Sequence, residues 1–380
     1  MVLGKIGKKV LLILTCLILL ISRSVPALAA DGAAPPDLKA ATAVLMDSVT
    51  GTVLFAKNPD ERKAPASTTK ILTALIALEK GHLDDVITVG PNPPRVDGTR
   101  VYLVEGERVT LENLLYGMLL NSGNDAALAI AEHYGGSMEG FARLMNEKAA
   151  ALGAVNSHFV TPNGLSDPNH YTTARDLALI ARAAMQNETF RRIVATQTRP
   201  WRSQGWETTL MNQNRLLWDY QGADGVKNGY TTEAHFTLVG SATRQGQSLI
   251  AVVLDEPGGR GAEQDVAALL DYGFKEFRSL QLARKGEVVA VLDRGNGEKV
   301  EAAAAADMAI VRKNDGSPPP VGQLELSSLK GPVPAGSRIG AMVFRQNGEI
   351  VGRVDVINRQ PIPARPPSFS DWWLRLSLAL

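Results

Sequence analysis

The chain has 380 residues, a formal net charge of +1 and 45% hydrophobic residues. A charge this close to zero argues against a nucleic-acid partner, and the apolar content is sufficient for a large core. The single cysteine excludes internal disulfides, and the five histidines show no metal-ligand spacing, so we expect neither a metal nor another cofactor.

The N-terminus has the pattern of a secretory signal peptide. Lysines precede an apolar run at residues 10–21, and the small residues Ala27 and Ala29 follow it. The run is shorter than the roughly 20 residues that a membrane span requires. We therefore predict a signal peptide at residues 1–29, cleaved after Ala29, and an uncleaved anchor is the alternative. Cys16 lies in this segment, so the exported protein would contain no cysteine.

Residues 30–280 combine strand and helix patterns. Strand patterns occur near both ends of this region, and helical patterns lie between them. The predicted strands are residues 43–47, 53–55, 236–242 and 248–254, and the predicted helices are residues 65–78, 111–119, 125–133, 138–152, 174–184 and 266–277. Strands on both sides of a helical block predict an α+β fold in which helices pack on an antiparallel sheet.

The pattern changes after Leu280. Short strand patterns occur at residues 288–292, 299–303, 308–312, 323–326, 338–345 and 350–357. Glycine, proline and the pair Asn347-Gly348 separate them, and such sequences form turns between strands. A small all-β domain is therefore predicted at residues 281–360, after the α+β domain at residues 30–280.

The last residues, 361–380, form a proline-rich spacer and an amphipathic tail. On a helix, Trp372, Trp373, Leu376 and Leu380 would cover one side. Tryptophan and leucine on such a face are typical of helices that lie at a membrane surface. We expect the tail to attach the exported protein to the outer face of the cytoplasmic membrane. Folding of the tail onto the β domain is the alternative.

The first motif with catalytic potential is Ser-x-x-Lys at Ser67 and Lys70. The spacing places the hydroxyl and the amine on one face at the start of a helix. A lysine whose proton affinity is lowered by burial or by nearby cations can act as a general base toward such a serine. A second copy at Ser327 and Lys330 is followed by glycine and proline rather than by a helix, and we interpret it as coincidental.

Two further motifs follow in order along the chain. They are Ser-x-Asn at Ser122 and Asn124, and Lys-x-Gly at Lys227 and Gly229. Taken alone, the first fits a helix cap and the second fits a hairpin turn. Their order after Ser-x-x-Lys favours a shared active site.

The three motifs in this order resemble the active-site signature of penicillin-binding proteins and serine β-lactamases. The surrounding sequence resembles the D-alanyl-D-alanine carboxypeptidase family over about residues 40–277, and the β region resembles the second domain of that family. The stretches that carry the resemblance are residues 47–54, 57–62, 65–70, 119–127, 161–165, 173–178 and 224–227. The resemblance implies a catalytic domain of the serine β-lactamase and penicillin-binding-protein type, followed by a small all-β domain.

The resemblance also implies roles for the first two motifs. Ser67 would be the nucleophile, and Lys70 would be the base that activates it. Ser122 would relay a proton, and Asn124 would hold Lys70 and the substrate amide. The enzyme would remove the terminal D-alanine from peptidoglycan stem peptides through an acyl-enzyme, and β-lactams would be its covalent inhibitors.

The third motif would bind the terminal carboxylate of the substrate through the positive charge of Lys227. The family implies an oxyanion hole made by the backbone N–H groups of Ser67 and Tyr230. Most relatives have threonine after the motif lysine, whereas this chain has Asn228. We expect Asn228 to contact the carboxylate, with Thr231 sharing that role.

Other functions use the same motifs. A class A β-lactamase needs a glutamate that activates the deacylating water, and no glutamate between Asn124 and Lys227 lies in a matching sequence. D,D-endopeptidase action on cross-links and a catalytically silent wall-binding protein are the remaining alternatives. No Ser/His/Asp arrangement is indicated. The histidines expected to be structural are His133, His158, His170 and His235.

Overall fold

The computed structural model describes residues 34–293, 299–327 and 332–363, and the backbone of Leu376 and Ser377. The predicted signal peptide and most of the predicted tail lie outside the described residues, as does Lys330 of the second Ser-x-x-Lys copy. Within the described part of the chain, no helix has the length and the apolar composition that crossing a membrane requires.

The first part of the chain contains both strands and helices. Its strands are β1 (Thr42–Asp47), β2 (Val53–Lys57), β3 (Val86–Thr88), β4 (Arg108–Thr110), β5 (Thr198–Arg202), β6 (Glu207–Met211), β7 (Ala223–Thr231), β8 (His235–Arg244) and β9 (Gln247–Glu256). Its helices are α1 (Lys70–Lys80), α2 (Leu111–Leu119), α3 (Asn124–Gly135), α4 (Met138–Ala151), α5 (Ala174–Gln186), α6 (Glu188–Val194), α7 (Leu216–Asp219) and α8 (Gly261–Glu276). The main sheet is antiparallel and has five strands in the order β2-β1-β9-β8-β7. The predicted α+β fold, with helices packed on an antiparallel sheet, is confirmed.

The main sheet is covered on both faces. Alternate residues of a strand point to opposite sides, so Val44 and Met46 of β1 face a core that includes α1, whereas Leu45 faces a second core under α8. Residues 70–77 of α1 are all buried, which explains the apolar pattern on most of its faces. Each fully buried leucine or isoleucine contributes about 1.5–3 kcal/mol. A helix enclosed in this way holds the residues at its start in place.

The C-terminal region is built of strands. They are β10 (Phe277–Ala283), β11 (Val288–Asp293), β12 (Lys299–Ala304), β13 (Met308–Lys313), β14 (Val321–Leu326), β15 (Arg338–Gln346), β16 (Glu349–Asn358) and β17 (Leu376–Ser377). Six of them form a sheet in the order β14-β15-β16-β12-β11-β17, and β10 pairs with β13. Ala302, Ile339 and Val356 belong to the separate apolar core of this region. The predicted all-β character is confirmed. The hydroxyl of Ser279 on β10 donates a hydrogen bond to the carboxylate of Asp47 on β1.

The tail differs from the sequence prediction at two residues. Leu376 and Ser377 have extended backbone and pair with Leu292 and Val291 of β11, where the sequence predicts a helix. The outer edge of β11 has backbone hydrogen-bonding groups that a further strand can pair with, and this pairing replaces the bonds that a helix would make within itself. At these two residues the helix prediction is wrong.

Candidate active site

Ser67 lies in the 3-10 turn Ala66–Thr69, directly before α1. The turn is tied to the main sheet, because the hydroxyl of Thr237 on β8 donates to the carbonyl oxygen of Pro65 at 3.1 Å. Ala66 has a φ of +47°, and such a left-handed conformation costs a non-glycine residue about 1–3 kcal/mol. The surrounding contacts stabilise this strained conformation of Ala66, and they fix the backbone next to the Ser67 hydroxyl.

His170 supports the turn from the side of the helices. Its Nδ1 atom accepts the backbone N–H groups of Val160 at 3.0 Å and Thr161 at 3.2 Å. The hydrogen of the neutral ring is therefore on Nε2, which donates to Thr69 Oγ1 at 2.9 Å. Burial lowers the pKa of His170 to about 4, so the ring stays neutral at pH 7. His170 thus fixes Thr69, close to Ser67, without taking part in proton transfer at that pH.

Lys70 is the first residue of α1 and is fully buried. Its Nζ atom lies 2.8 Å from Ser67 Oγ and 3.4 Å from Ser122 Oγ. The same atom lies 2.8 Å from Asn124 Oδ1 and 2.8 Å from the carbonyl oxygen of Asn163. The structure therefore brings the residues of the first two motifs together around one nitrogen atom.

The surroundings of Lys70 favour its neutral form. Burial is the main cause that lowers the pKa of Lys70 well below its usual value. The positive charge of Lys227 lowers that pKa further, whereas the negative charge of Asp125 acts in the opposite direction. A lysine whose pKa is lowered in this way is neutral to a larger extent than an ordinary lysine, so it is better suited to act as a general base.

The second motif lies between α2 and α3. Ser122 has a φ of +63°, and Asn124 begins α3. The Nδ2 atom of Asn124 donates to the carbonyl oxygen of Asp97 at 2.7 Å, so the amide oxygen is turned toward Lys70. The orientation of Asn124 is therefore set by the loop that precedes α2, and the residue is placed to hold the lysine.

The third motif lies on β7, at the edge of the main sheet. Lys227 is buried, and its Nζ atom donates to the backbone oxygen and to the Oδ1 atom of Asn228, at 3.0 Å each. Burial lowers the pKa of Lys227 to about 7. A Cβ atom on Gly229 would lie 2.7 Å from the backbone nitrogen of Ser67 and 2.6 Å from Thr237 Oγ1. The third motif therefore packs directly against the turn that carries the first.

A cavity of about 380 Å³ opens beside Asn228 and Gly229. Arg215, Arg260 and Glu263 also line it. The volume is in the range of small-ligand sites, and guanidinium groups form paired hydrogen bonds with carboxylates.

The two remaining predicted residues lie at the end of β7. Tyr230 is 57% exposed, and its ring centroid lies 4.7 Å from that of Phe236. The hydroxyl oxygen of Thr231 accepts the N–H group of Ala234 at 3.1 Å, a bond that closes the turn between β7 and β8. The structure thus places Asn228 at the cavity and Thr231 in the turn.

The sequence model that describes D-alanyl-D-alanine carboxypeptidases matches residues 29–258. The chain belongs to the D-alanyl-D-alanine carboxypeptidase family. All three motifs lie within the matched residues, so the resemblance recognised from them is confirmed.

Several members of this family are similar to the chain over most of its length. The D-alanyl-D-alanine carboxypeptidase DacF of Bacillus subtilis is 32% identical over 332 residues, which cover 85% of this chain and 85% of that protein. Penicillin-binding protein 5 of Haemophilus influenzae has a similar structure, with a TM-score of 0.74 and 32% identity over 87% of this chain and 100% of that chain. The DD-transpeptidase of Streptomyces K15 has a TM-score of 0.61 and 36% identity over 64% of this chain and 99% of that chain. The DacF match is longer than residues 29–258, so the similarity continues into the β region.

The loop at residues 161–165 contributes to the site of this chain, although the sequence analysis predicts no role for it. Asn163 offers its backbone carbonyl to Lys70. Gly164 passes so close to the serine turn that a Cβ atom would lie 1.8 Å from the carbonyl oxygen of Ala66. Asn-Gly is a turn signal, but the contacts of that turn depend on packing between distant parts of the chain.

Asp125 is a second residue without an assigned role. Its carboxylate accepts the backbone N–H groups of Val101 at 3.0 Å and Leu103 at 3.1 Å. Burial raises the pKa of Asp125. A carboxylate in the first turn of a helix was the available signal, since helix N-termini favour negative charge. These bonds attach the loop before α2 to the start of α3, directly after Asn124.

Proposed function

We propose that the chain is a serine-type D-alanyl-D-alanine carboxypeptidase that removes the terminal D-alanine from peptidoglycan pentapeptides through an acyl-enzyme on Ser67. The observation that carries this proposal is the 2.8 Å distance between Ser67 Oγ and the buried Nζ atom of Lys70. A serine is a weak nucleophile unless an adjacent base takes its proton, and Lys70 is the base in reach. The names of relatives such as DacF state the same activity.

The neighbours of Lys70 support its role as the base. A neutral amine has two N–H donors and one lone pair. The side-chain oxygen of Asn124 and the carbonyl oxygen of Asn163 can only accept, so they take the two donors. The lone pair is then left for the hydroxyl hydrogen of Ser67, as general-base catalysis requires.

The proposed reaction has two halves. In acylation, Ser67 Oγ attacks the carbonyl carbon of the penultimate D-alanine while Lys70 takes the hydroxyl proton. The C–N bond then breaks, and the leaving amine receives a proton through Ser122, whose Oγ lies 3.4 Å from Lys70 Nζ. Water hydrolyses the resulting ester and restores the hydroxyl of Ser67.

The contact between Gly229 and Ser67 supports an oxyanion hole at the N–H groups of Ser67 and Tyr230. A Cβ atom added to Gly229 would lie 2.7 Å from the Ser67 nitrogen, so the two backbone segments are adjacent. Backbone donors at such a place stabilise the negative oxygen of the tetrahedral intermediate, and the loss of one donor costs about 10²–10³ in kcat.

The cavity beside β7 supports binding of the terminal carboxylate. Arg215 and Arg260 line it, and the buried amine of Lys227 belongs to the residue that precedes Asn228 on β7. A carboxylate held in the cavity would lie next to Gly229, which packs against Ser67. The scissile carbonyl of the same substrate, one residue from the carboxylate, would then be within reach of the serine.

Transpeptidation is the second candidate, because the matched Streptomyces K15 protein is named a DD-transpeptidase. Both reactions share the acyl-enzyme, and they differ in whether water or an amine attacks it. An amine acceptor such as glycine, added to the assay, separates them by the mass of the product. A β-lactamase would instead show rapid turnover of penicillin, and a D,D-endopeptidase would cleave cross-linked muropeptides.

We also propose that the enzyme lies outside the cytoplasm, attached to the outer face of the cytoplasmic membrane. The signal-peptide pattern at residues 1–29 and the apolar composition of the tail support it. The exported chain would consist of a catalytic domain at residues 30–280, a β domain at residues 281–360 and the tail. Except for Leu376 and Ser377, the tail from Ala364 onward lies outside the described residues, so the attachment rests on sequence.

Incubation of the purified protein with a pentapeptide muropeptide, followed by mass spectrometry, tests the activity. The expected result is the loss of one alanine. Lys70→Arg is the matched control, since it keeps the charge and removes the base. Its rate should fall by about 10²–10⁴. Acylation by a fluorescent penicillin without any release of alanine would contradict the carboxypeptidase function.

A further inference from the structure

Apolar side chains are exposed on the loop at residues 97–106, which lies beside the second motif. Tyr102 is 50% exposed, and Val104 is exposed as well. The centroid of the Tyr102 ring lies 5.3 Å from that of Trp206, with the two rings edge to face at 76°. Trp206 is half-buried in the turn between β5 and β6. We call Tyr102, Val104 and Trp206 the aromatic patch, and exposed apolar patches of this kind mark binding surfaces.

A buried carboxylate joins the two segments that form the aromatic patch. The carboxylate of Glu107 accepts the backbone N–H group of Val104 at 3.1 Å and that of Gln204 at 2.8 Å. Gly205 packs directly on the loop, because a Cβ atom added to it would lie 2.1 Å from the carbonyl oxygen of Tyr102. The two rings of the patch are therefore held in place by separate parts of the chain, and a ligand would meet a preformed surface.

The backbone of Tyr102 is strained in a way that directs its ring to the solvent. Its φ is +58°, a left-handed conformation that a bulky residue rarely adopts. The carboxylate of Asp125 accepts the N–H groups of Val101 and Leu103, on either side of Tyr102, and these bonds hold the conformation. Val101 and Leu103 are buried, whereas half of Tyr102 stays in water. Strain of this kind is concentrated at ligand-binding sites.

The same loop connects the aromatic patch to the catalytic residues. The backbone N–H group of Asn124 donates to the carbonyl oxygen of Thr99 at 2.7 Å, and Asn124 Oδ1 lies 2.8 Å from Lys70 Nζ. Tyr102 follows Thr99 by three residues, which span at most about 11 Å. The patch is therefore within roughly 20 Å of the Lys70 amine. In a pentapeptide, the four residues before the scissile bond span about 13–14 Å when extended, so the group that carries the peptide reaches the same distance.

We propose that the aromatic patch is a subsite for the glycan that carries the stem peptide. This inference rests on the proposed function and names a second part of its substrate. The apolar C–H faces of a sugar pack on aromatic rings while its hydroxyl groups remain in water. The guanidinium of Arg100, 5.4 Å from the centroid of the Tyr102 ring, can donate to the hydroxyl and acetyl oxygens of the sugar.

The charges around the aromatic patch also favour a neutral ligand. Arg202 and Glu207, on either side of the turn that carries Trp206, are 2.7 Å apart. Glu105, next to Val104, lies 3.7 Å from the guanidinium of Arg95. Each of these charges thus has an opposite charge beside it, so the surroundings of the patch attract neither an acidic nor a basic ligand strongly.

An assay with two substrates tests the proposal. One is the pentapeptide alone, and the other is the same pentapeptide linked to its disaccharide of N-acetylglucosamine and N-acetylmuramic acid. The wild-type protein should release D-alanine with the higher kcat/KM from the disaccharide-linked substrate. Tyr102→Ala should lower that value by about 3- to 10-fold, mainly through KM, because the contact is the same in the ground and transition states. The value for the free pentapeptide should change by less than about twofold.

Two further variants are the controls. Tyr102→Phe keeps the ring and should keep the preference for the disaccharide. Trp218→Ala removes another exposed aromatic side chain, on α7 and outside the aromatic patch, and should change neither substrate. Thermal unfolding shows whether each variant is folded. If Tyr102→Ala is not, Trp206→Leu provides the test, since it removes the other ring and keeps an apolar side chain in the turn.

Three results would overturn the proposal. They are a wild-type protein without preference for the disaccharide, a preference that survives in Tyr102→Ala, and an equal loss with both substrates, which would mean that Tyr102 acts on the peptide or on the fold. Failure of the wild-type protein to release D-alanine from either substrate would instead count against the proposed function. Release from the free pentapeptide without an effect of the disaccharide would count against the glycan subsite alone.

Discussion

The Nζ atom of Lys70 lies 2.8 Å from the carbonyl oxygen of Asn163, although the loop of Asn163 contains none of the three motifs. Because that oxygen only accepts, it determines with Asn124 which way the lone pair of a neutral lysine points. The carbonyl oxygen of Asn163 belongs to the backbone, so no substitution of the Asn163 side chain removes it. A substitution of Gly164, the next residue, can displace it instead.

Gly164→Ala should destabilise the protein and slow acylation. The residue has a φ of +82°, and the new Cβ atom would lie 1.8 Å from the carbonyl oxygen of Ala66. Backbone strain and overpacking of this kind each cost about 1–3 kcal/mol, so we expect a loss of about 2–6 kcal/mol in the free energy of unfolding. Denaturant unfolding and the rate of acylation by a fluorescent penicillin measure the two effects.

Gly246→Ala is the control for this experiment. Gly246 also has a positive φ of +80°, but a Cβ atom added there would have no non-neighbouring atom within 4 Å. Its substitution should cost only the backbone strain, about 1–3 kcal/mol, and should leave acylation unchanged. If both variants lose the same free energy and keep the same acylation rate, the contact between Gly164 and Ala66 has no importance for the site.

The nucleophile is tested by a pair of serine variants. Ser67 Oγ lies 2.8 Å from Lys70 Nζ, whereas Ser327 follows β14, where its backbone N–H donates to the carbonyl of Ile339. Ser67→Ala should therefore abolish covalent labelling by a fluorescent penicillin, and Ser327→Ala should leave it unchanged. Gel fluorescence after denaturation measures the label. Loss of label in the Ser327 variant would mean that the second motif copy carries the chemistry.

The sequence predicted the elements whose signal is local. The predicted helix at residues 111–119 coincides with α2, since its apolar residues repeat at helical spacing. The hairpin of β5 and β6 was not predicted, because β5 contains proline and two arginines among five residues. The hairpin is held by Trp201, which is buried against Gly117 of α2. That contact joins distant parts of the chain and leaves no periodic pattern.

The residues of the candidate site also divide into those that a sequence motif identifies and those that only the folded chain brings together. The three motifs supplied Ser67, Lys70 and Asn124, which lie within hydrogen-bonding distance of one another around the Lys70 amine, because the resemblance to a family implies their spatial relation. The resemblance does not identify the contact of the Asn163 carbonyl, since a sequence motif specifies side chains and not the contacts of backbone atoms. Arg215 and Arg260 were missed for a related reason. They flank a cavity only after α7 and α8 have packed beside β7 and β8.

Lys227→Gln should change the pH dependence of acylation. The charge of Lys227 lowers the pKa of Lys70, although burial is the larger cause and remains in the variant. Without that charge the pKa of Lys70 rises, so the acid limb, where activity appears as Lys70 loses its proton, should move to higher pH. The methyl ester of benzylpenicillin reports this limb without a carboxylate, the group that Lys227 is proposed to bind. Lys227→Arg keeps the charge and should leave the limb in place, and a shift to lower pH in Lys227→Gln would contradict the assignment of Lys70 as the base.

The tail has two possible contacts, and its removal distinguishes them. If residues 366–380 attach the protein to a membrane surface, the mature protein should float with liposomes and a variant lacking these residues should not, while penicillin acylation stays the same. Flotation should depend little on salt, because the segment contains one arginine and no basic cluster. The pairing of Leu376 and Ser377 with β11 suggests the other outcome, in which neither form floats and the shortened protein unfolds at a lower temperature. In that case the tail completes the sheet of the β region, and the attachment proposal fails.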